Sequence, residues 1–330
     1  MMVDNRNILD SVPVIDIGPL LSSVDGNPEM KLRCIHELFD ACREWGFFYI
    51  QNHGLSDKDV SRFRQNVSEF FHLPQEVLTE IKRNQENSRG YFDDELTKNK
   101  LDWKRCFDFG AQDGSLDKEG MDGKNQWPSV SDHETFEQVM RDYFDQMEKL
   151  SEILLGAICE SLDLPSDSLR QFFESNHTSY LRLNYYPVCP NPESHMAIHH
   201  HTDAGALTIL YQDSDVTSLQ VKRGDKWFFI PPKEGTYVIN IGDMVQIWSN
   251  DLFKAPLHRV QANSSKERYS APFFFNPAYK ADVAPILSEE STDNQKPQYK
   301  PVNWGEFRGK RFAGDFADVG EEVQIAHYKL

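Results

Sequence analysis

Hydrophobic and polar positions divide the chain into a helical first half and a second half rich in short β-type runs. Apolar residues recur three and four apart over residues 29–45, which predicts an amphipathic helix before Gly46 and a short strand at 47–50. A second helix is predicted over 57–71, with Ser56 or Asp57 as its N-cap. The longest apolar stripe, residues 136–158, predicts a scaffold helix.

From residue 180 onward the pattern changes to short apolar runs separated by turn residues. The predicted strands are 180–186, 207–211, 219–221, 227–230, 237–241, 244–248, 258–261 and 269–275. Many short strands at close spacing indicate a sandwich or barrel, and eight of them fit a jelly roll. We therefore predict a mainly β protein with flanking helices, in which residues 304–312 form a helix that packs on the barrel.

Residues 82–130 carry no sustained periodicity and contain several glycines, so we expect a long surface excursion. Its aromatic residues favour an ordered lid or pocket wall. We expect one compact unit with four parts. They are an N-terminal region (1–130), a scaffold helix region (131–179), the jelly-roll core (180–280) and a C-terminal tail (281–330).

Composition and charge limit the partners that we expect. A hydrophobic content of 39% with 22 phenylalanines indicates a packed globular protein. The net charge of −17 repels nucleic-acid phosphates and anionic membrane surfaces. The five scattered cysteines suit reduced thiols, and the N-terminus has no basic segment followed by an apolar one. We expect a cytoplasmic monomer that binds neither nucleic acid nor membrane.

The stretch from Met196 to Asp213 carries the first candidate chemistry. His201 and Asp203 stand two apart beside a β-forming run, so we expect their side chains to share one face. A histidine and a carboxylate supply two ligands of a facial triad for non-haem iron(II), and His258 is the candidate for the third.

Arg268 and Ser270 also stand two apart in a β-type run. An arginine fork beside a hydroxyl suits the far carboxylate of a small diacid that chelates the metal.

The order of these residues resembles the iron and 2-oxoglutarate-dependent dioxygenases, in the branch that includes isopenicillin N synthase. Further segments fall in the order of that family, and together they cover residues 12 to about 320. They are Trp45-Gly-Phe-Phe-Tyr-Ile-Gln-Asn-His-Gly54, Asn184-Tyr-Tyr-Pro187, Asn240-Ile-Gly-Asp243, Pro272-Phe-Phe-Phe-Asn-Pro277 and Gly314-Asp-Phe-Ala-Asp.

The resemblance implies a double-stranded β-helix with the metal at its mouth. It implies Fe(II) on His201, Asp203 and His258, with 2-oxoglutarate as cosubstrate and dioxygen, and it allows ascorbate as a reductant. Arg268 and Ser270 would then hold the far carboxylate of 2-oxoglutarate. Asn184 and Tyr186, two apart on one predicted strand, would reach the same molecule.

The implied reaction is oxidation of an unactivated C–H bond in a small molecule of specialised metabolism, by hydroxylation, desaturation or ring closure. Three alternatives stay open at this point: an iron oxidase that does not use 2-oxoglutarate, a non-catalytic small-molecule-binding relative, and a cupin-like metal protein. His199 would share the strand face of His201, but only His201 is followed two residues later by an aspartate, so we expect His199 beside the ligands or in the pocket wall.

The substrate is expected to meet the segments that close over the barrel mouth. The candidates are aromatic residues for apolar contact and arginines for a substrate carboxylate. They are Arg89, Tyr91, Phe275, Phe307, Arg308 and Arg311.

Overall fold

The computed structural model describes residues 12–21, 27–84, 86–97, 100–111, 123–129, 133–174, 176–213, 216–287, 296–316 and 323–330. Residues 112–122 of the predicted excursion, and residues 317 and 318 of the C-terminal motif, lie outside this set.

The helices lie mainly in the N-terminal half and at the C-terminal end. They are α1 (Gly18–Leu21), α2 (Pro28–Glu44), α3 (Asp57–Phe71), α4 (Gln75–Glu80), α5 (His133–Ser161), α6 (Asp243–Trp248) and α7 (Trp304–Phe316). The first strands are β1 (Val14–Asp16), β2 (Phe47–Gln51), β3 (Gly90–Phe92), β4 (Leu96–Thr97), β5 (Lys100–Leu101), β6 (Arg105–Gly110), β7 (Tyr180–Tyr186) and β8 (Met196–His201). The others are β9 (Leu207–Gln212), β10 (Leu219–Arg223), β11 (Lys226–Phe229), β12 (Tyr237–Ile241), β13 (His258–Gln261), β14 (Arg268–Phe275), β15 (Asp282–Val283) and β16 (Val302–Asn303).

Two sheets form the body of the protein. The larger has eight strands in the order β1-β2-β12-β9-β14-β7-β6-β3, and the smaller has four in the order β11-β10-β13-β8. A buried apolar cluster takes residues from both sheets, for example Tyr186 and Val238 from the larger and Val221 and Val260 from the smaller. The two sheets therefore close over a shared interior.

A second, larger apolar core lies between the eight-stranded sheet and the helices. It joins α2, α3 and α5 to the outward face of the sheet, where Phe144 of α5 contacts Phe273 of β14 edge to face. A closed pair of sheets braced by helices is the predicted jelly roll, or double-stranded β-helix.

Several helices begin where the sequence pattern placed them. Ser56 caps α3 by accepting a hydrogen bond from the backbone N–H of Asp59, as expected for an N-cap serine. The predicted stripe over 136–158 lies within α5, and the predicted C-terminal helix lies within α7. Within the described part of the chain, no helix is both long enough and apolar enough to cross a membrane.

Three expectations about local structure were wrong. Residues 244–248, predicted as a strand, form α6, which begins after Gly242. A Cβ on Gly242 would lie 2.2 Å from the carbonyl oxygen of Gly205, so this close backbone approach requires glycine. The sequence pattern could not show this backbone contact, because Gly205 and Gly242 are far apart in sequence.

The excursion is also more than surface structure. Its strands β3 and β6 extend the large sheet, and Phe92 and Phe107 are fully buried there. Periodicity failed here because β3 is buried throughout and β6 at all but its first residue, so neither shows the alternation of a half-exposed strand.

His201 and Asp203 do not lie on one strand, which is the third error. His201 is the last residue of β8, whereas Asp203 belongs to the loop before β9.

Candidate metal centre and carboxylate clamp

His201, Asp203 and His258 converge at one end of the barrel. One ligand atom from each lies within 4.8 Å of the other two. Strands β8 and β13 pair with His258 opposite His201, and the loop after β8 brings Asp203 back between the two imidazoles. Oδ1 of Asp203 lies 3.5 Å from Nε2 of His201 and 3.6 Å from Nε2 of His258. Ligands at about 2.1 Å from one ion lie about 3 Å apart when adjacent, so this spacing fits a metal.

Hydrogen bonds fix the orientation of both imidazoles. Nδ1 of His201 is 2.8 Å from the carbonyl oxygen of His199, and Nδ1 of His258 is 3.1 Å from that of Pro256. A carbonyl can only accept, so each Nδ1 carries the proton and each neutral ring keeps its lone pair on Nε2. Both lone pairs therefore belong to the nitrogen that faces Asp203, as a metal site requires.

The second carboxylate oxygen of Asp203 is occupied by protein donors. Asn240 on β12 donates to Oδ2 at 2.7 Å, and the Thr208 hydroxyl on β9 donates to the same oxygen. The carboxylate is thus held by one oxygen while Oδ1 remains directed at the histidines. This arrangement suits coordination through a single oxygen.

The electrostatics of the cluster favour an ionised aspartate. Burial opposes ionisation of Asp203, but His258 and the contacts from His201 and Asn240 outweigh it and hold the pKa of the carboxyl well below its usual value. The pKa of His258 is lowered, mainly by burial and further by electrostatic repulsion from His201. For His201, burial is outweighed by its contacts to Asp203, so its pKa is raised.

A second polar group lies in the barrel interior, on β7 and β14. Arg268 and Ser270 face inward and pair in register with Tyr186 and Asn184. The Tyr186 hydroxyl lies 3.1 Å from the Ser270 hydroxyl, and the guanidinium of Arg268 lies over the Tyr186 ring, 4.8 Å from its centroid. All four residues are at most 3% exposed.

The guanidinium of Arg268 has donors that are not satisfied by the protein residues described. Nη2 donates to Gln212 at 3.0 Å, but Nε and Nη1 have no hydrogen-bond partner among the described residues. Buried donors left unsatisfied are costly, so the site fits a ligand that brings an anionic acceptor. The far carboxylate of 2-oxoglutarate is such an acceptor.

A pocket opens from the metal cluster toward the C-terminal helix. Its wall includes the predicted arginines Arg89, Arg308 and Arg311. Arg308 donates to the carbonyl oxygen of Thr178 at 2.8 Å, and Arg311 donates at 2.9 Å to that of Thr202, the residue between His201 and Asp203.

The predicted aromatic contacts are elsewhere. Tyr91, Phe275 and Phe307 are at most 1% exposed and do not line this pocket. Phe275 stacks on Phe173, with ring centroids 4.2 Å apart, on the outward face of the large sheet. Phe307 packs edge to face on Tyr328. The aromatic wall is formed instead by Tyr180, Phe274, Trp304 and Phe312.

The parity of the strands could have identified two of these residues. Phe274 has the same parity on β14 as Arg268 and Ser270, and Tyr180 has the same parity on β7 as Asn184. Side chains two apart share one face, so choosing Phe275 contradicted the placement of Arg268.

A buried ion-pair network, which the sequence did not suggest, forms the opposite wall. Arg182 binds Asp108 through Nε and Nη2, each at 2.8 Å, and reaches Glu95 with Nη1 at 2.8 Å. Lys104 contacts both Glu95 and Asp102, and Asp102 also accepts hydrogen bonds from the backbone and ring of His199. His199 is therefore fixed by the excursion beside the metal cluster.

Comparison with known families covers most of the chain. Residues 177–277 match the 2OG-Fe(II) oxygenase superfamily. Residues 12–130 match the family described as non-haem dioxygenase in morphine synthesis N-terminal.

Curated relatives are similar over most of their length. The chain is 35% identical over 301 residues to Jasmonate-induced oxygenase 4 of Arabidopsis thaliana, covering 90% of this chain and 81% of that protein. It is 33% identical over 313 residues to Homoarginine-6-hydroxylase 2-ODD-233 of Oryza sativa subsp. japonica, covering 90% and 94%.

Solved structures of other proteins are similar to this chain over most of its length. JOX2 in complex with 2OG, Fe and JA superposes with a TM-score of 0.81 at 30% identity, covering 99% of this chain and 94% of that one. A full-length Neurospora crassa protein in complex with alpha-KG and thymine superposes with a TM-score of 0.80 at 26% identity, covering 94% and 98%.

Proposed function

Because the chain belongs to the 2OG-Fe(II) oxygenase superfamily and is an iron(II)- and 2-oxoglutarate-dependent dioxygenase, we propose specific roles for its inward-facing polar residues. His201, Asp203 and His258 bind the iron. Arg268 and Ser270 bind the far carboxylate of 2-oxoglutarate, with Asn184 and Tyr186 beside them.

The observation that carries this assignment is the pair of unsatisfied donors on Arg268, in the same barrel as the converged triad. Three protein ligands would leave positions on the ion for a chelating oxoacid and dioxygen. Bound iron, 2-oxoglutarate and dioxygen supply the oxidant that attacks a substrate C–H bond. The residues of this chain contribute binding and orientation, since Arg268 fixes the diacid by its far end.

The substrate is a small molecule held in the pocket between the ion-pair network and α7. Relatives are named as a homoarginine 6-hydroxylase and a gibberellin 2-beta-dioxygenase, and JOX2 was solved in complex with JA, which supports a small organic molecule in this position. The guanidinium groups of Arg89, Arg308 and Arg311 favour a substrate that carries a carboxylate. Phe274 and Tyr180, whose rings stack at 4.7 Å, provide an apolar face beside them.

The test is a pair of substitutions that separates metal from cosubstrate. Asp203→Ala should lose Fe(II) and all 2-oxoglutarate turnover, because two remaining ligands leave the ion unsupported. Arg268→Gln should retain iron but weaken 2-oxoglutarate binding by about 2 to 5 kcal/mol, because a charge-assisted contact is lost.

Metal analysis, calorimetric binding of 2-oxoglutarate without oxygen, and succinate release measure these effects, with circular dichroism as the control for folding. Full iron content in Asp203→Ala would refute the ligand assignment. A parental 2-oxoglutarate affinity in Arg268→Gln would refute the clamp.

A further inference from the structure

Gln212 is an inward-facing polar residue of the large sheet to which no role has yet been given. It is the last residue of β9 and pairs in register with Ser270 on β14. Side chains of paired residues lie on the same face of a sheet, so Gln212 shares the barrel interior with Ser270 and Arg268. It lies on the side of β14 opposite to β7, which carries Asn184 and Tyr186.

The oxygen and the nitrogen of the Gln212 side-chain amide differ in their hydrogen bonding. Oε1 accepts a hydrogen bond from Nη2 of Arg268 at 3.0 Å. Nε2 is buried and, within the part of the chain that the structure describes, has no hydrogen-bond partner. An amide nitrogen can only donate a hydrogen bond, so Nε2 of Gln212 needs an acceptor that the described residues do not supply.

The donors left over on Arg268 have the same requirement. Its Nε and Nη1 are buried and without a partner among the described side chains and backbone. Two neighbouring residues therefore present three unsatisfied donor atoms in one region of the barrel. Each would be costly to bury if no ligand supplied an acceptor.

We propose that Gln212 is a specificity-determining residue for the cosubstrate: Oε1 orients the Arg268 guanidinium and Nε2 donates to the far carboxylate of the 2-oxo acid. This inference rests on the proposed function, in which Arg268 binds that carboxylate. It adds β9 to β7 and β14 as a strand that contacts the diacid, so that the carboxylate is held from both sides of β14.

The chemistry predicts that glutamate is worse here than leucine. In Gln212→Glu, a carboxylate would stand beside the Arg268 guanidinium, where it would neutralise that charge and repel the ligand. In Gln212→Leu, the donor and the orienting contact are lost, but no competing charge is added.

The experiment measures calorimetric binding to the full-length iron(II)-loaded protein without oxygen. The two probes are 2-oxoglutarate and 2-oxopentanoate, which has the same chain length without the far carboxylate. For 2-oxoglutarate we expect Kd to rise about a hundredfold in Gln212→Glu and about tenfold in Gln212→Leu. Kd for 2-oxopentanoate should change by less than about twofold in either, because it brings no charge to this end.

The chain offers a matched control in Gln220→Glu. Gln220 also accepts from an arginine, with Nε of Arg259 at 2.8 Å, on strands β10 and β13 of the small sheet. It faces away from His258, because Val221, the next residue, is the one that pairs with His258. This variant should bind 2-oxoglutarate as the parent does.

The outcomes separate this inference from the proposed function. Equal weakening for both probes, or parental 2-oxoglutarate binding in both Gln212 variants, would overturn the role of Gln212 and leave the proposed function intact. A parent protein that binds iron but does not distinguish 2-oxoglutarate from 2-oxopentanoate would overturn the carboxylate clamp itself. Melting temperatures of the variants identify any that fail to fold, and Gln212→Leu then decides.

Discussion

At the scale of single residues, the proposed iron site includes two donors that hold the carboxylate of Asp203 in place. Asn240 and Thr208 both donate to Oδ2 of Asp203, so they determine which oxygen is left for the ion. Asn240 belongs to a segment that resembles the family, but no chemical role for it was predicted from the sequence. The fold explains it, because β12 pairs with β9 and places Asn240 directly opposite Thr208.

We predict that removing these donors weakens metal binding without removing a ligand. Asn240→Leu and Thr208→Val should each raise the dissociation constant for Fe(II) by about 10- to 100-fold, because the partners that orient a ligating carboxylate are lost. Titration with Fe(II) in the absence of oxygen measures this dissociation constant. Thr208→Ser keeps the hydroxyl and should bind as the parent does, whereas parental affinity in both donor-free variants would contradict the prediction.

At the scale of elements, β14 divides the barrel interior from the helix-facing core by simple alternation. Phe274 lines the pocket and Arg268 and Ser270 lie against Tyr186 in the barrel interior, while Phe273 contacts Phe144 of α5 and Phe275 stacks on Phe173. Phe274 therefore forms part of the pocket wall, whereas the adjacent Phe275 packs in the core.

We predict opposite consequences for alanine at these two positions. Phe274→Ala should fold and still consume 2-oxoglutarate, but release succinate without matching substrate oxidation, because the pocket wall is lost. Phe275→Ala should lower the unfolding free energy by about 3 to 5 kcal/mol, because it leaves a cavity in the core. Thermal melts and the ratio of oxidised substrate to succinate measure the two effects. Tight coupling in Phe274→Ala would place the substrate elsewhere.

The excursion is joined to the barrel by the ion pairs around Glu95. Burial opposes ionisation of Glu95, but Arg182, Lys104 and Arg83 outweigh it and hold the pKa of this carboxyl well below its usual value. A depressed folded-state pKa contributes stability above the unfolded pKa, and this contribution is lost as the pH falls.

We predict that Glu95→Gln destabilises the protein by about 3 kcal/mol at neutral pH, because buried cations lose a partner. The difference from the parent should shrink below about pH 4.3, where an unfolded glutamate becomes protonated. Unfolding curves at neutral and at lower pH test both statements. Glu37→Gln is the control, since Glu37 forms an exposed pair with Arg33 and its loss should cost less than about 1 kcal/mol. A Glu95 effect that is independent of pH would contradict the electrostatic explanation.

At the scale of the whole molecule, the proposed active site takes residues from both sheets. His201 and His258 come from β8 and β13 of the small sheet, whereas Arg268 and Ser270 come from β14 of the large one. With the roles that we propose, iron and 2-oxoglutarate together would connect the two sheets.

We predict that each ligand raises the melting temperature separately. A ligand at about 100 times its Kd that binds only the folded state adds about 2.7 kcal/mol. Fe(II) without oxygen should give one increment and 2-oxoglutarate a second, whereas Arg268→Gln should keep the first and lose most of the second. Calorimetric scans test this. A 2-oxoglutarate increment that survives in Arg268→Gln would mean that the diacid is held by other residues.

The sequence by itself determined the features that depend on short-range regularity. Apolar spacing placed α2, α3, α5 and eight of the strands, namely β2, β7 and β9 to β14. The order of His201, Asp203, His258 and Arg268, together with the other segments that resemble the dioxygenase family, predicted the chemistry, and the family comparisons agree with it. The helices and strands follow from side-chain alternation and helical periodicity, which are properties of neighbouring residues.

Only the tertiary structure decided which distant residues share a space. It placed Asp203 in a loop between strands and Gln212 beside Arg268. It also assembled the network around Glu95 from segments that are distant in sequence, such as those of Glu95 and Arg182. The physical reason is that strand register and sheet closure determine these contacts, and both depend on pairings between segments that no local pattern specifies.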